Sequence, residues 1–142
     1  MHNIFDQRHL AEARFFAIAL TFCGGFTDAF TYIQFNHTLA AAQTGNIVFL
    51  SAALASHNFF GVFDRLASLI AYIVGLAIVS IFHAHIDHYW RVFCLIPLLI
   101  IGMIVGGLPA SFPTYISVPA LSFGLAMQNA AFAKIEGFGY SN

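Results

Sequence analysis

Long apolar stretches alternate with short polar breaks along this chain, and the first apolar stretch, Phe15 to Phe35, runs for 21 residues. As a helix that length crosses a hydrocarbon core of roughly 30 Å. Four further apolar segments follow: Thr38–Ser56, about Phe60–Phe82, Val92–Leu108 and about Thr114–Ile135. Residues 1–14 are mixed and amphipathic and read as an interfacial N-terminal segment ahead of a transmembrane domain over 15–142. The pattern predicts an all-α fold, a polytopic transmembrane helix bundle of about four spans plus one interrupted or re-entrant segment.

The interruption falls in the second stretch. Thr38–Ser56 is long enough to span as one helix, yet Gln43-Thr44-Gly45-Asn46 sets polar and small residues near its middle. Polar groups with a glycine suit a broken helix whose backbone lines a cavity; an ordinary span with a polar face carries the same residues. The first stretch holds Asp28, the only charged residue between Arg14 and Asp64. A carboxylate at that depth costs about 2.5–3.5 kcal/mol on insertion scales, so it needs a compensating partner or a use. Helical spacing puts Asp28 on one face with Thr21, Gly24, Gly25, Thr31 and Tyr32, while Phe26, Phe30 and Ile33 point elsewhere.

The later segments carry less. Asp64-Arg65 opens the third span, and Ser68, Tyr72, Gly75 and Val79 form a helical stripe expected to pack on the first span. His83, His85, Asp87 and His88 crowd a short connection that ends in Tyr89-Trp90-Arg91. The aromatic and basic residues make this an interfacial belt rather than a metal site. The fourth span has a Gly102-x-x-x-Gly106 pair, a hint of close helix packing. The fifth carries Gln128-Asn129. Placing Asp28-Ala29 over Asn129-Ala130 gives a faint internal echo, the arrangement of an inverted repeat if the two spans run in opposite directions.

Composition agrees with the membrane class: 60% of residues are hydrophobic and 8% charged, with a mean hydropathy of +0.82. Ordinary soluble domains carry about a quarter charged residues. A net charge of −1 gives no reason to expect nucleic acid as a partner. Cys23 and Cys94 lie in apolar segments without metal-ligand spacing and read as inert buried thiols. No small-x-small site follows Phe15–Phe22, so the first span is read as uncleaved. The five basic residues bear on topology, because short cytoplasmic loops collect Lys and Arg. Full crossing by 38–56 puts Arg8, Arg14 and Arg65 inside; re-entry puts Arg8, Arg14, Arg91 and Lys134 inside and favours that model.

Three groups of residues carry a family resemblance: Gly25-Phe26-Thr27-Asp28-Ala29, Gln43-Thr44-Gly45-Asn46 leading into Ile47–Leu54, and Met127-Gln128-Asn129-Ala130 followed by Gly137 and Gly139. In these the chain resembles the YoaK family of bacterial multi-pass membrane proteins, defined by a domain of unknown function. The likeness runs from about Arg14 to Asn142. It implies an integral protein of the bacterial cytoplasmic (inner) membrane, with no established substrate, reaction or cofactor. Family members continue through a second Thr-Gly element and a further span or two, so the resemblance implies C-terminal truncation here.

Three classes of function remain in view. In a small-solute or ion-coupled transporter, Asp28 is a proton- or cation-coupling carboxylate, and Thr44, Gly45, Asn46, Gln128 and Asn129 supply neutral hydrogen-bonding groups at the same depth. In a structural or interaction protein, Asp28 is satisfied by Thr31, Tyr32, Gln43 or Asn46, and the polar groups only join helices. Catalysis ranks behind both, since one acid lies at membrane depth and no histidine sits within a span. The lipid bilayer is the expected partner, and a fragment exposing the polar face of its first span would need a second copy or another chain to cover it.

Overall fold

A computed structural model describes residues 4–83, 90–107, 112–131, 134–135 and 138–139. Five helices follow one another: α1 (Ile4–Gln34), α2 (Gln43–Ala55), α3 (Phe59–His83), α4 (Trp90–Gly107) and α5 (Thr114–Ala131). α1 runs without a break through Arg14. α5 stops at Ala131, short of the expected Ile135, and a two-residue antiparallel pair follows, β1 (Lys134–Ile135) with β2 (Phe138–Gly139), Lys134 opposite Gly139. The connection holding His85, Asp87 and His88 lies outside the described residues, and no metal-binding group of side chains occurs among those described.

The second apolar stretch is not one helix. Asn36 and His37 adopt left-handed backbone angles, φ 48° and 53°, which end α1 and turn the chain back on itself. Residues 38–42 stay non-helical, and α2 then runs for 13 residues, rising about 20 Å, too short to cross a bilayer. The polar quartet is therefore the first turn of α2, not an interruption within it. His57, at φ 57°, closes α2, and the Asn58 side-chain Oδ1 accepts the Gly61 N–H at 3.0 Å to cap α3.

Pairings between elements set their directions. Asn46 bonds Ser68 and the Phe49 ring faces the Arg65 guanidinium, so α2 runs antiparallel to the start of α3. The Asn36 side chain, just past α1, donates to Asp64 near the start of α3. Residues 35–58 thus leave and return at one end of the molecule, dipping between α1 and α3. The Ser68–Ser122 and Tyr72–Asn129 pairs make α3 and α5 parallel. Leu98 lies against Gly124, and Val105 shares a core cluster with Val118 and Leu121 from the first half of α5, so α4 and α5 are antiparallel. It follows that α1 and α5 run in opposite directions.

α5 is the central helix. Ten of its residues are buried, from Ser117 and Val118 to Gln128 and Ala131, on all sides rather than on one stripe. Small residues let its neighbours approach: a Cβ at Gly75 would sit 2.8 Å from both Ala126 Cβ and Phe123 O, and one at Gly124 would sit 3.1 Å from Leu98 Cα. The Ser68-Tyr72-Gly75-Val79 stripe accordingly packs on α5, not on the first span as its spacing suggested. Gly102 and Gly106 meet nothing within 4 Å, so among the described residues that pair joins no helices. The largest core cluster gathers Phe35, Ala40, Ala41, Val105, Val118, Leu121 and Leu125, with Phe30 against it; Phe30 faces inward although helical spacing turned it away.

Outward faces are strongly apolar. Phe15, Ile18, Phe22, Phe26 and Ile33 on α1, Ile70 and Ile73 on α3, and Leu99, Met103 and Ile104 on α4 are all exposed, and so is Cys23, expected to be buried, because it lies on the outward face of α1. One helix among the described residues is long and apolar enough to cross a membrane: Phe59–Ile81, 23 residues of mean hydropathy 2.0, only 28% buried in the protein. The remaining helices do not meet that criterion over their described residues.

Candidate functional site

The polar residues of the sequence converge on the segment between α1 and α2. Ala40, Ala41 and Ala42 are strong helix formers, yet their N–H groups point away from any helix and onto the Asp28 carboxylate. Oδ1 accepts from Ala40 at 2.8 Å and Ala41 at 2.6 Å; Oδ2 accepts from Ala42 at 2.9 Å. Hydrogen bonds to a charged group contribute about 1.5–3 kcal/mol each, so three of them offset the cost of taking the carboxylate out of water. Asp28 also stands where α2 needs an anion: Ala42 precedes the helix with no side-chain cap, and the first turn has no acidic residue.

The Asp28 partners are backbone groups rather than the Thr31, Tyr32, Gln43 or Asn46 side chains expected from the sequence. The Thr31 hydroxyl instead donates to the Asp28 main-chain carbonyl at 3.2 Å. The loop passes close to Gly24, where a Cβ would lie in ordinary contact, 4.0 Å from Ala41 Cβ.

Asn46, buried to 1% exposure, holds the other side of the loop. Its Oδ1 accepts the Leu39 N–H at 2.9 Å, and its Nδ2 donates to Leu39 O at 2.7 Å, Gln43 Oε1 at 3.0 Å and Ser68 Oγ at 3.3 Å. Gln43 Nε2 donates back to Ala40 O at 2.9 Å. Ser68 reaches Leu39 O at 3.1 Å and shares a 2.6 Å hydroxyl pair with Ser122. One continuous set of hydrogen bonds therefore ties α1, the loop, α2, α3 and α5 together.

The remaining candidates are distributed differently. Thr44 is exposed, and Gly45 is half-buried with Leu39 Cδ1 2.6 Å from where its Cβ would be, so a side chain there would push the end of the Leu39 side chain aside. Asn129 donates to the Tyr72 hydroxyl at 3.0 Å. Gln128 is 2% exposed and its Oε1 has no partner, as is true of the buried Ser117 Oγ. Among the described residues no hydrogen bond links Gln128 or Asn129 to the Asp28 loop. The structure thus brings together Asp28 and Asn46 with Gln43, and leaves the α5 pair as a separate polar patch.

A second polar cluster, at the mouth of the dipping segment, was not singled out by sequence reasoning. Asp64 is buried and its Oδ2 accepts from Asn36 Nδ2 at 3.0 Å. Arg65, 8% exposed, donates through Nη1 to Gly61 O at 2.8 Å and through Nη2 to Asn36 O at a long 3.5 Å. Its Nε has no partner, and its guanidinium lies 5.7 Å from the Phe49 ring centre. Phe49 in turn contacts Tyr32, which packs on His37. The available signal was the oddity of two adjacent charges inside an apolar span.

No curated protein and no solved structure matches this chain. A family model described as "Protein of unknown function (DUF1275)" matches residues 16–142. With that match over most of its length, the chain belongs to the DUF1275 family, the YoaK family that its motifs resemble.

Proposed function

We propose that this protein is a polytopic transporter of the bacterial cytoplasmic membrane that moves a small solute or ion, with residues 35–58 as a re-entrant element and Asp28 as its coupling carboxylate. The observation that carries the proposal is the return of the Leu39–Ala42 backbone to the depth of Asp28, followed by a half-length helix. Irregular backbone beside an intramembrane acid is the construction secondary transporters use at their binding sites. The opposed directions of α1 and α5, bearing Asp28 and Asn129, support an inverted repeat.

Charge placement supports the same topology. Arg65 is held inside the packing of α3, so it does not act as a loop charge. The four remaining basic residues, Arg8, Arg14, Arg91 and Lys134, then fall on one side, the cytoplasmic one. The exposed apolar faces of α1, α3 and α4 face acyl chains. In this reading Asp28 holds the re-entrant loop in one state and, on taking up a proton or cation, releases its N–H groups in another. The reading assigns no catalytic step.

A second reading rests on how completely Asp28 is bonded: three donors make it a static clamp in a structural membrane protein. Flux separates the two. Asp28→Asn in proteoliposomes abolishes solute-driven proton or cation movement if Asp28 couples. Full retention of flux by a folded Asp28→Asn protein removes the coupling role and leaves the clamp.

A further inference from the structure

We infer that α1 carries a hinge at Gly24-Gly25, about which residues 15–23 swing while residues 27–34 stay fastened to the hairpin. The two halves of the helix are held differently. Beyond the glycines, Asp28 binds three loop amides, Thr31 is fully buried and Phe30 packs on the core cluster. Before them, Phe15, Ile18, Thr21, Phe22 and Cys23 are all exposed, and Ala17 is the one buried side chain described. Among the described residues no hydrogen bond joins this first half to another element; the hydroxyl of Thr21 turns back to its own helix.

The glycines answer no packing need. A Cβ on Gly25 would meet nothing within 4 Å, and one on Gly24 would lie in ordinary contact, 4.0 Å from Ala41 Cβ. Both lie inside α1 without a positive φ, so alanine, the better helix former, fits at either position. Gly75 and Gly124 differ, since neighbouring backbone crowds both. The pair therefore weakens α1 at a place where the packing of this chain does not call for glycine.

A second observation lies beside the pair. Thr27 Oγ1 donates to Cys23 O at 2.8 Å, a bond that passes across Gly24-Gly25. Cys23 O is also the acceptor that the helical ladder assigns to the Thr27 N–H. Bending at the glycines opens that ladder bond, and a carbonyl left bare in an apolar setting is costly; the hydroxyl keeps this one satisfied. Glycine and hydroxyl back-bonding are both established causes of helix bends. Because α1 ends at the hairpin, the swinging half lies at the opposite end of the helix. Under the transport reading it is a gate on the side away from the hairpin; the hinge itself does not need that reading.

The test measures distances between pairs of spin labels in the full chain in lipid nanodiscs, in a Cys23→Ala, Cys94→Ala background. Labels at Ile18→Cys and Ile81→Cys report on the swinging half, and labels at Ile33→Cys and Ile70→Cys on the fastened half; all four positions are exposed. The first pair gives the broader distance distribution, and Gly24→Ala/Gly25→Ala narrows it to the width of the second. Thr27→Val narrows it as well, whereas Thr27→Ser, which keeps the hydroxyl, leaves it broad. The double alanine variant melts at or above the wild-type temperature, so the narrowing does not come from misfolding. Equal widths for the two pairs in the wild type overturn the hinge, as does breadth that survives the alanines. A lower melting temperature for the double variant assigns the glycines to packing and overturns it too. Distances require no solute, so the two readings fail separately: full flux in Asp28→Asn removes coupling and leaves the hinge, while equal widths remove the hinge whatever the flux.

Discussion

Asn46 on α2 grips Leu39 by both of its backbone groups, accepting the N–H at 2.9 Å and donating to the carbonyl at 2.7 Å. One side-chain amide thereby replaces the pairing that a neighbouring strand would give, and it fixes the loop so that the next three N–H groups aim at Asp28. Asn46→Ala leaves the Leu39 N–H without its acceptor and weakens the links to Gln43 and Ser68. A destabilisation of about 1–3 kcal/mol is expected from the orphaned buried group. Asn46→Asp keeps the acceptor but turns an oxygen toward Leu39 O and Gln43 Oε1, so it is at least as damaging. Thermal melting of the two variants in detergent checks the order.

Asp28 makes a prediction about amide protection that does not depend on any solute. In the wild type the Ala40, Ala41 and Ala42 amides are bonded to its carboxylate and exchange slowly with solvent deuterium. Asp28→Ala removes the acceptor of all three, and exchange at these positions rises about tenfold or more, as for loss of a charge-assisted hydrogen bond. Exchange along the middle of α3 changes little. Unaltered protection of Ala40–Ala42 in Asp28→Ala would mean that the loop is held by Asn46 alone.

These two contacts show how much of the molecule was legible in its residues. Helix positions followed from apolar runs, because a stretch such as Phe59–His83 is too long for a strand and long enough for a helix of several turns. Asp28 and Asn46 stood out as polar residues in apolar surroundings. The partners that hold the loop did not, since all three donors to Asp28 and two of the groups that Asn46 binds are main-chain groups of alanine and leucine, which carry no sequence signal. Leu39-Ala40-Ala41-Ala42 even reads as helix by propensity; the pull of Asp28 on its amides overrides that preference. The Ser68-Tyr72-Gly75-Val79 stripe was visible as a packing face, but periodicity says nothing about which helix meets it, and α5 does. The Arg65 cluster depends on Asn36, 29 residues earlier, a pairing that only the left-handed turn at Asn36-His37 creates.

Topology is checked by side-specific thiol labelling in a Cys23→Ser, Cys94→Ser background. His37→Cys, Asn58→Cys and Phe112→Cys label from one side of the membrane, because residues 35–58 leave and return at the end where α5 begins. Gln7→Cys labels from the other. Labelling of His37→Cys and Asn58→Cys from opposite sides would return residues 38–56 to a full crossing and end the re-entrant model.

Gln128 offers a change that improves the fold while testing the site. Its Oε1 is buried without a donor, a condition that costs about 1–3 kcal/mol. Gln128→Met keeps the length of the side chain and removes the orphaned acceptor, so the melting temperature rises. If Gln128 also contacts solute, flux falls in the same variant, and stability and activity move in opposite directions. A variant that gains stability and keeps full flux identifies Gln128 as an unpaid core defect with no part in transport.

Two glycines with opposite surroundings test where the helices meet. At Gly75 an added methyl lies 2.8 Å from both Ala126 Cβ and Phe123 O, inside the closest helix crossing of α3 on α5. Backbone on one side and a short, stiff alanine on the other leave nothing flexible to yield, so Gly75→Ala forces the helices apart. Overpacking of this kind costs about 1–3 kcal/mol. At Gly102 the same methyl meets nothing within 4 Å, and the gain in helix propensity of about 0.8–1 kcal/mol is not opposed. Gly102→Ala and Gly106→Ala therefore leave melting unchanged or raise it, whereas Gly75→Ala lowers it and weakens the Tyr72–Asn129 bond one turn away. Equal destabilisation at Gly75 and Gly102 would show that α4 meets a further helix through its glycine face, and an unaffected Gly75→Ala would mean that α3 and α5 do not cross where the hydroxyl pair of Ser68 and Ser122 joins them.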